Sequence, residues 1–169
     1  SGETLALQSA SGERVNTQVD IKARHPDGSV RHAIISAKAI LQAPTEVFSL
    51  YRVKDNATAL TSSFNLTDVA IADLDVTVRL SLADGHYQAS LANAVQQGQL
   101  KQQWLQGELA NEFILVSPIV NKEGQAHPHL HARFYLRLYG GQAEKAQLAL
   151  LVENTYAYQT HPPDYQSDL

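Results

Sequence analysis

Three histidines at alternate positions are the side chains of this sequence best suited to metal chemistry. His127, His129 and His131 occupy every second position of one short segment. If that segment is a β-strand, the three side chains point to one face, because successive side chains on a strand alternate. Two imidazoles at this spacing can hold one Zn²⁺ or Ni²⁺ ion. The triplet therefore predicts a candidate divalent-metal site.

Two further features bear on this metal prediction. If two histidines of the triplet hold the ion, a third ligand from His25, His32 or His86 would complete the site. Pro128 interrupts the triplet, lacks a backbone N–H, and bends a strand where regular spacing matters most. Two interpretations stay open, a divalent-metal site and a hydrogen-bonded polar face, and the proline favours the polar face. No other cofactor is predicted.

Tyrosine and arginine share one face of a second predicted strand. Aromatic side chains stack on sugar rings or fill protein interfaces, and neighbouring arginines add hydrogen bonds and cation–π contacts. The candidate ligand-binding residues are Arg133, Tyr135, Arg137 and Tyr139 on one strand face, with Tyr156 and Tyr158 on a neighbouring segment. The alternative is an ordinary cross-strand ladder on a solvated sheet face.

Acid–base catalysis has weaker support. Asp27, Arg31 and His32 lie close together in the sequence. With Glu108 and Glu112, they include the residue types that acid–base catalysis uses. A glycan lyase or hydrolase needs such groups to face each other across a cleft, and turn formation already accounts for Asp27. The sequence lacks Cys, GxSxG, HExxH and a glycine-rich phosphate loop. We therefore predict no catalytic residue and favour a non-enzymatic role.

Length and charge exclude further classes of function. The chain has 169 residues and a net charge of −4, with 13 Lys and Arg scattered among 17 Asp and Glu. No basic stripe offers the positive charge that a phosphate backbone requires, so nucleic-acid binding is not predicted. No segment approaches the roughly 20 apolar residues of a membrane-spanning helix, so membrane insertion is not predicted either.

The chain length also suits one hydrophobic core, and we predict a single domain over residues 1–158. Residues 159–169 are rich in Pro, Asp and Ser, which is typical of a linker or of the start of a next element. The chain begins with Ser1 and contains no Met. We therefore expect it to be a fragment of a longer protein.

Short strands joined by turns must position these side chains. Val15–Ala23 alternates apolar and polar residues, which predicts a strand. Asp27 and Gly28 predict a tight turn after it, and Val30–Leu41 is predicted as the partner strand of a hairpin. Ser90–Gln103 is predicted as a short helix or an ordered loop. Further strands are predicted at Glu46–Val53, Asp75–Leu82, Tyr87–Leu91, Trp104–Pro118, Leu130–Tyr139 and Ala146–Val152. The pattern predicts an all-β barrel or sandwich of about 8 to 11 strands with at most one short helix.

Two stretches of the sequence resemble a known domain. Residues 18–33, with the hairpin DGSVRH at 27–32, resemble the start of the RIFT-barrel-like N-terminal domain of exo-rhamnogalacturonan-lyase-like proteins. Residues 107–110, the run FYLRLYGG at 134–141, and Val152–Asn154 are similar to its second half. The His-Pro-His-Leu segment at 127–130 looks more like the form found in phage and prophage virion proteins.

The resemblance implies a β-barrel module at the N-terminal side of a larger protein. Lyase chemistry in that family resides largely in a following helical domain, so the fold carries over and no catalytic residue does. Where those lyases often show Trp after the hairpin arginine, this chain has His32. We expect a non-catalytic module of a phage-tail or virion-associated protein, serving assembly or host-surface glycan attachment.

This expectation places the protein in a virion or outside the cell. Its partners are then other virion proteins or a cell-surface glycan, and homo-oligomer formation stays open. The first alternative is an accessory N-terminal domain of a rhamnogalacturonan-type polysaccharide lyase. The second is a histidine-rich metal-binding domain built on the His127 triplet.

Overall fold

The computed structural model describes residues 3–41, 43–54, 66, 74, 76–140 and 142–154. These residues form ten β-strands and one short helix, and one of the two sheets is a curled half-barrel. The predicted all-β barrel or sandwich with at most one short helix is confirmed. Within the described part of the chain, no helix combines the length and the apolar character needed to cross a bilayer.

The elements follow each other with short connections. The strands are β1 (Glu3–Ser9), β2 (Arg14–Arg24), β3 (Val30–Lys38), β4 (Phe48–Lys54), β5 (Thr77–Leu82), β6 (Gly85–Ser90), β7 (Leu100–Leu105), β8 (Ala110–Val120), β9 (Ala126–Tyr139) and β10 (Gln142–Asn154). The helix α1 (Leu91–Gln96) lies between β6 and β7. One sheet has the order β3-β2-β1-β4, and the other has the order β10-β9-β8-β6-β5 with β7 also paired to β8.

The chain groups into two compact units. The first unit comprises the described residues of Ser1–Phe64, Leu105–Asn111 and Tyr139–Gly141, and the second comprises those of Asn65–Trp104, Glu112–Leu138 and Gln142–Leu169. The single domain over residues 1–158 stays a prediction. The predicted linker at 159–169 lies outside the described residues, as does nearly all of the stretch between β4 and β5.

The first unit contains the predicted hairpin. β2 and β3 pair antiparallel, with Val19 opposite Ile35. Asp27 Oδ1 accepts hydrogen bonds from the Ser29 N–H at 2.9 Å and the Ser29 hydroxyl at 2.7 Å, and these bonds lower the pKa of Asp27. Gly28 has a φ of 84°, a conformation that glycine adopts without strain. Asp27 is therefore a turn-forming residue.

The segment Ser90–Gln103, predicted as a short helix or an ordered loop, contains α1 and then the first four residues of β7. Two further parts of the architecture differ from the predicted strands. β1 was not predicted, and it lies between β2 and β4 in the four-stranded sheet. The predicted single strand Trp104–Pro118 is two strands, because β7 ends at Leu105 and β8 begins at Ala110. The second difference has a physical reason in the polar contacts of β2.

A polar cluster on β2 fixes the segment between β7 and β8. Gln18 Oε1 accepts hydrogen bonds from the N–H groups of Leu109 and Ala110, both at 2.9 Å. The Gln18 amide nitrogen donates to the Ala110 carbonyl at 2.8 Å and to Asp20 Oδ2 at 2.7 Å. Asp20 Oδ1 accepts from the Gln106 N–H at 2.9 Å. We call these contacts the Gln18 clamp; they satisfy backbone groups that a continuous strand would have paired in its ladder.

The core of the second unit lies on one face of β8 and β9. Along β9, buried apolar residues alternate with half-buried polar residues from Leu130 to Leu138, as period-two geometry requires. Ser90 begins α1 by accepting the Asn93 N–H with its side chain. The buried apolar side chains of this unit include Leu91, Ala94, Phe113, Leu115, Ile119, Phe134, Leu136 and Leu138. Their alternation leaves the arginines and Tyr135 on the opposite, half-exposed face.

Candidate arginine–tyrosine site

The half-exposed face of β8, β9 and β10 brings together charged, aromatic and apolar side chains. We call it the arginine–tyrosine face and define it by Glu112, Arg133, Tyr135, Arg137, Leu151 and Glu153. Alternation along β9 places both arginines and Tyr135 on this face. Glu153 reaches Arg133, and Leu151 lies two residues before Glu153, so both belong to the same side of β10.

Each arginine of this face is paired with a glutamate on a neighbouring strand. Arg133 Nε donates to both carboxylate oxygens of Glu153 at 3.0 Å, and its Nη2 donates to Oε2 at 2.9 Å. Arg137 donates from Nε and Nη2 to the carboxylate of Glu112. The first pair is a two-oxygen fork, whereas both nitrogens of Arg137 contact Glu112 Oε2; each arrangement restricts the orientation of its partners.

The electrostatics of the face follow from these pairs. Hydrogen bonding to Glu153 raises the pKa of Arg133 against the opposing effect of partial burial, and the charges of Glu153 and Tyr135 act in the same direction. Two positive and two negative side chains leave the face without net charge. Leu151 nevertheless keeps 47% of its surface exposed. The face is thus an ordered, neutral, partly apolar surface of the kind that protein interfaces use.

The remaining residues of the predicted ligand-binding set are placed differently. Tyr139 ends β9, belongs to the first unit, and is 40% exposed. Tyr156 and Tyr158 lie outside the described residues. The sequence-based prediction for these three tyrosines stays a prediction, and the arginine–tyrosine face does not include them.

The predicted metal triplet begins with a histidine whose ring folds back onto its own strand. His127 Nδ1 accepts the N–H groups of His129 and Leu130, both at 3.1 Å. An accepting Nδ1 places the proton of the neutral ring on Nε2. Nε2 lies 3.7 Å from Asp84 Oδ2. β9 continues through Pro128, and its backbone there is stabilised by the His127 ring.

The surroundings of His127 are those of a core side chain. Its ring is 0% exposed and packs edge-to-face on Tyr87, with ring centroids 4.8 Å apart, and on His129, with centroids 5.8 Å apart. Burial lowers the pKa of His127, although the carboxylate of Asp84 acts in the opposite direction. Among the residues that the structure describes, no group of three or more His, Cys, Asp or Glu side chains is arranged to hold a metal ion. The metal site, including His131, stays a prediction.

The residues of the hypothetical acid–base set have separate surroundings. Asp27 forms the turn, and Arg31 and His32 are exposed on β3 beside it. Glu108 is exposed in the segment between β7 and β8. Glu112 is held by Arg137. Local structure thus accounts for Asp27 and Glu112.

Two concave sites were not predicted from the sequence. A cleft of about 710 Å³ lies in the first unit, where the β1–β2 turn meets the segment after β3, and its lining includes Glu13, Arg14, Lys38 and Glu46. A smaller cavity of about 280 Å³ lies in the second unit and includes Arg79. No local motif signals either site, because the lining residues come from strands and turns that only the sheets bring together.

Comparison of the chain with protein-family models, curated protein sequences and solved structures yields no match. Functional inference for this protein therefore depends on the chemistry and geometry of its own residues. The arginine–tyrosine face is the part of the predicted site that the structure brings together.

Proposed function

We propose that this chain is a non-catalytic β-module of a phage-tail or other virion-associated protein, and that it assembles with a second copy through the arginine–tyrosine face. The observation that carries the proposal is the pairing of both arginines with glutamates on a face that still exposes Leu151. The β-module is supported by the resemblance of residues 18–33 to the RIFT-barrel-like domain, and the virion setting by the resemblance of residues 127–130 to the form found in phage and prophage virion proteins.

The fixed ion pairs favour binding over catalysis. A carboxylate that accepts guanidinium hydrogen bonds is held in one position as half of a structural ion pair. Glu112 and Glu153 are both held in this way. The face thus offers positioned planar groups and apolar area, which are the features that protein interfaces use.

The apolar exposure favours a protein partner over a glycan on this face. Leu151 is 47% exposed on β10, which lies at one end of the strand order of its sheet. Sugar hydroxyls gain little from aliphatic side chains, whereas protein partners remove such surface from water at about 25 cal/mol per Å². Glycan attachment through this face is the outcome that the experiment below distinguishes.

Charge complementarity favours a second copy as the protein partner. A two-fold axis brings the same surface patch of two subunits together, so that patch has to be compatible with itself. A patch with two arginines and two glutamates can place opposite charges against each other when it is duplicated. A patch of one charge sign would repel its copy.

Sedimentation velocity over a range of protein concentrations tests this proposal. The wild-type chain is expected to form a dimer as its concentration rises, and Leu151→Lys is expected to stay monomeric, because it buries an unpaired charge in the interface. Leu50→Lys is the matched control: Leu50 is 51% exposed on β4 in the other sheet, so this variant is expected to dimerise like the wild type.

A glycan array probed with the same three proteins distinguishes assembly with a second copy from attachment to a glycan. Concentration-independent monomers that bind a glycan through a Leu151-sensitive site would assign the face to glycan attachment and overturn the assembly proposal. Equal dimerisation of all three proteins would place the interface elsewhere.

A further inference from the structure

We propose that the small cavity of the second unit binds a monosaccharide that carries one carboxylate. This inference goes beyond the proposed assembly function, because the cavity shares no residue with the arginine–tyrosine face. Its failure would leave the assembly proposal untouched, and failure of dimerisation would leave the cavity unaffected.

Cross-strand pairing of β5 and β6 builds one wall of this cavity. Thr77 lies opposite Ser90, and Arg79 lies opposite Gln88. Positions 77 and 79 share a face of β5, and positions 88 and 90 share a face of β6. The sheet register therefore places a guanidinium, an amide and two hydroxyls side by side along the cavity.

The helix α1 and the strand β8 supply the other walls. Asn93 and Gln97 are four residues apart and lie on the same side of α1 and its end, so both amides face the cavity. The Gln97 side chain is oriented by the Gln99 amide, which donates to its Oε1 at 2.9 Å. Pro118 and Val120 of β8 add apolar surface.

The size of the cavity selects a small ligand. Its volume is about 280 Å³, which lies just below the range of roughly 300–1,000 Å³ that is common for pockets holding drug-sized molecules. A single sugar ring suits this space better than an extended chain. The apolar contribution of Pro118 and Val120 offers a contact for the carbon face of a ring, while the amides and hydroxyls can donate to and accept from ring hydroxyls.

The charge of the cavity selects an anion. Among the described lining residues, Arg79 is the one charged side chain, and the rest of the polar lining consists of amides and hydroxyls. A guanidinium binds a carboxylate through two parallel N–H···O bonds, which a single neutral hydroxyl cannot match. The cleft of the first unit differs in this respect, because arginine and lysine are accompanied there by two glutamates.

Amide chemical shifts of the full chain, followed during titration, test the proposal. The probes are glucuronate, galacturonate and N-acetylneuraminate, with glucose and galactose as uncharged counterparts, and with acetate and inorganic phosphate as anions without a sugar ring. At least one of the three acidic sugars is expected to shift the amides of Arg79, Gln88 and Asn93, and to bind more tightly than its uncharged counterpart or either small anion.

Substitution of the arginine identifies the recognition group. Arg79→Gln is expected to weaken binding of the acidic sugar at least about tenfold. Arg79→Lys is expected to weaken binding less, because lysine keeps the positive charge but lacks the two parallel N–H donors of the guanidinium. Arg79 is exposed, so both variants are expected to retain the wild-type spectrum away from the cavity. The matched control is Arg31→Gln on β3 of the first unit, which is expected to bind like the wild type.

Three results would overturn the proposal. The first is the absence of shifts with all three acidic sugars. The second is equal affinity for an acidic sugar and its uncharged counterpart, which would remove Arg79 from recognition. The third is acetate or phosphate binding as tightly as the sugars, which would leave a simple anion site.

Discussion

At the scale of single residues, two polar side chains on β2 determine the path of a segment far away in the sequence. Gln18 and Asp20 satisfy the N–H groups of Gln106, Leu109 and Ala110, so the chain leaves β7 and enters β8 without a continuous ladder. The periodicity of apolar residues does not predict which polar side chains will replace the hydrogen bonds of a strand ladder. This is why Trp104–Pro118 was predicted as one strand.

The close approach of Gly107 to the Gln18 clamp gives a prediction of stability. A Cβ at position 107 would lie 2.3 Å from the Gln18 side-chain carbon, whose amide is held by several hydrogen bonds and has little freedom to retreat. Gly107→Ala is therefore expected to lower the free energy of unfolding by about 1–3 kcal/mol, measured by urea denaturation. In a Gln18→Ala background the same substitution is expected to cost little further stability. Additive losses would show that the clamp does not cause the effect.

The buried ring of His127 gives a prediction of pH dependence. Burial lowers its pKa in the folded state, so the unfolded chain binds the proton more readily. The stabilising contribution of the neutral ring is complete above the unfolded pKa of about 6.5 and is lost as the pH falls toward the folded pKa. The free energy of unfolding is expected to rise with pH across this window.

His127→Asn separates this effect from general acid sensitivity. The Asn oxygen can replace Nδ1 as the acceptor for the N–H groups of His129 and Leu130, while the titrating ring is removed. The variant is expected to fold and to show a smaller pH slope than the wild type. His86→Asn, which changes an exposed histidine on β6, is expected to keep the slope. An unchanged slope in His127→Asn would assign the pH dependence to other groups.

At the scale of elements, hairpins were predictable and long-range pairings were not. Asp27 and Gly28 predict their turn from the local sequence, and alternation identifies β2 and β9 because one face of each strand contacts other residues. The position of β1 between β2 and β4 has no local signature. The shared face of Arg133, Tyr135 and Arg137 followed from alternation alone, whereas their glutamate partners required the strand order.

The two ion pairs of β9 are expected to differ in strength. The side chains of Arg133 and Glu153 are 28% and 26% exposed, so solvent screens both charges, whereas Arg137 is 38% exposed but its partner Glu112 is only 10% exposed. Double-mutant cycles with glutamine replacements are expected to give a coupling of about 0.5–1 kcal/mol for Arg133 and Glu153. The Arg137–Glu112 pair is expected to show a larger coupling, because removal of one partner leaves a buried charge. Equal couplings would contradict this ranking.

At the scale of the whole molecule, the two proposed binding sites use different residues of the second unit and differ in their chemistry. The arginine–tyrosine face has balanced charges and exposed apolar area, and the small cavity has one guanidinium among neutral polar groups. The sequence pointed to the face through its Tyr and Arg residues. It gave no indication of the cavity, because Arg79, Gln88 and Gln97 meet only after β5, β6 and α1 have packed.

Dipolar coupling between spin labels measures assembly through the arginine–tyrosine face most directly. The chain contains no cysteine, so one substitution provides one labelling site. Ala149→Cys places a label on the β10 side that carries Leu151 and Glu153, and Ser49→Cys places one on exposed β4 as the matched control. We expect concentration-dependent coupling between copies labelled at position 149 and weaker or no coupling at position 49. Absence of coupling at position 149 at every attainable concentration, or stronger coupling at position 49, would contradict assembly through this face.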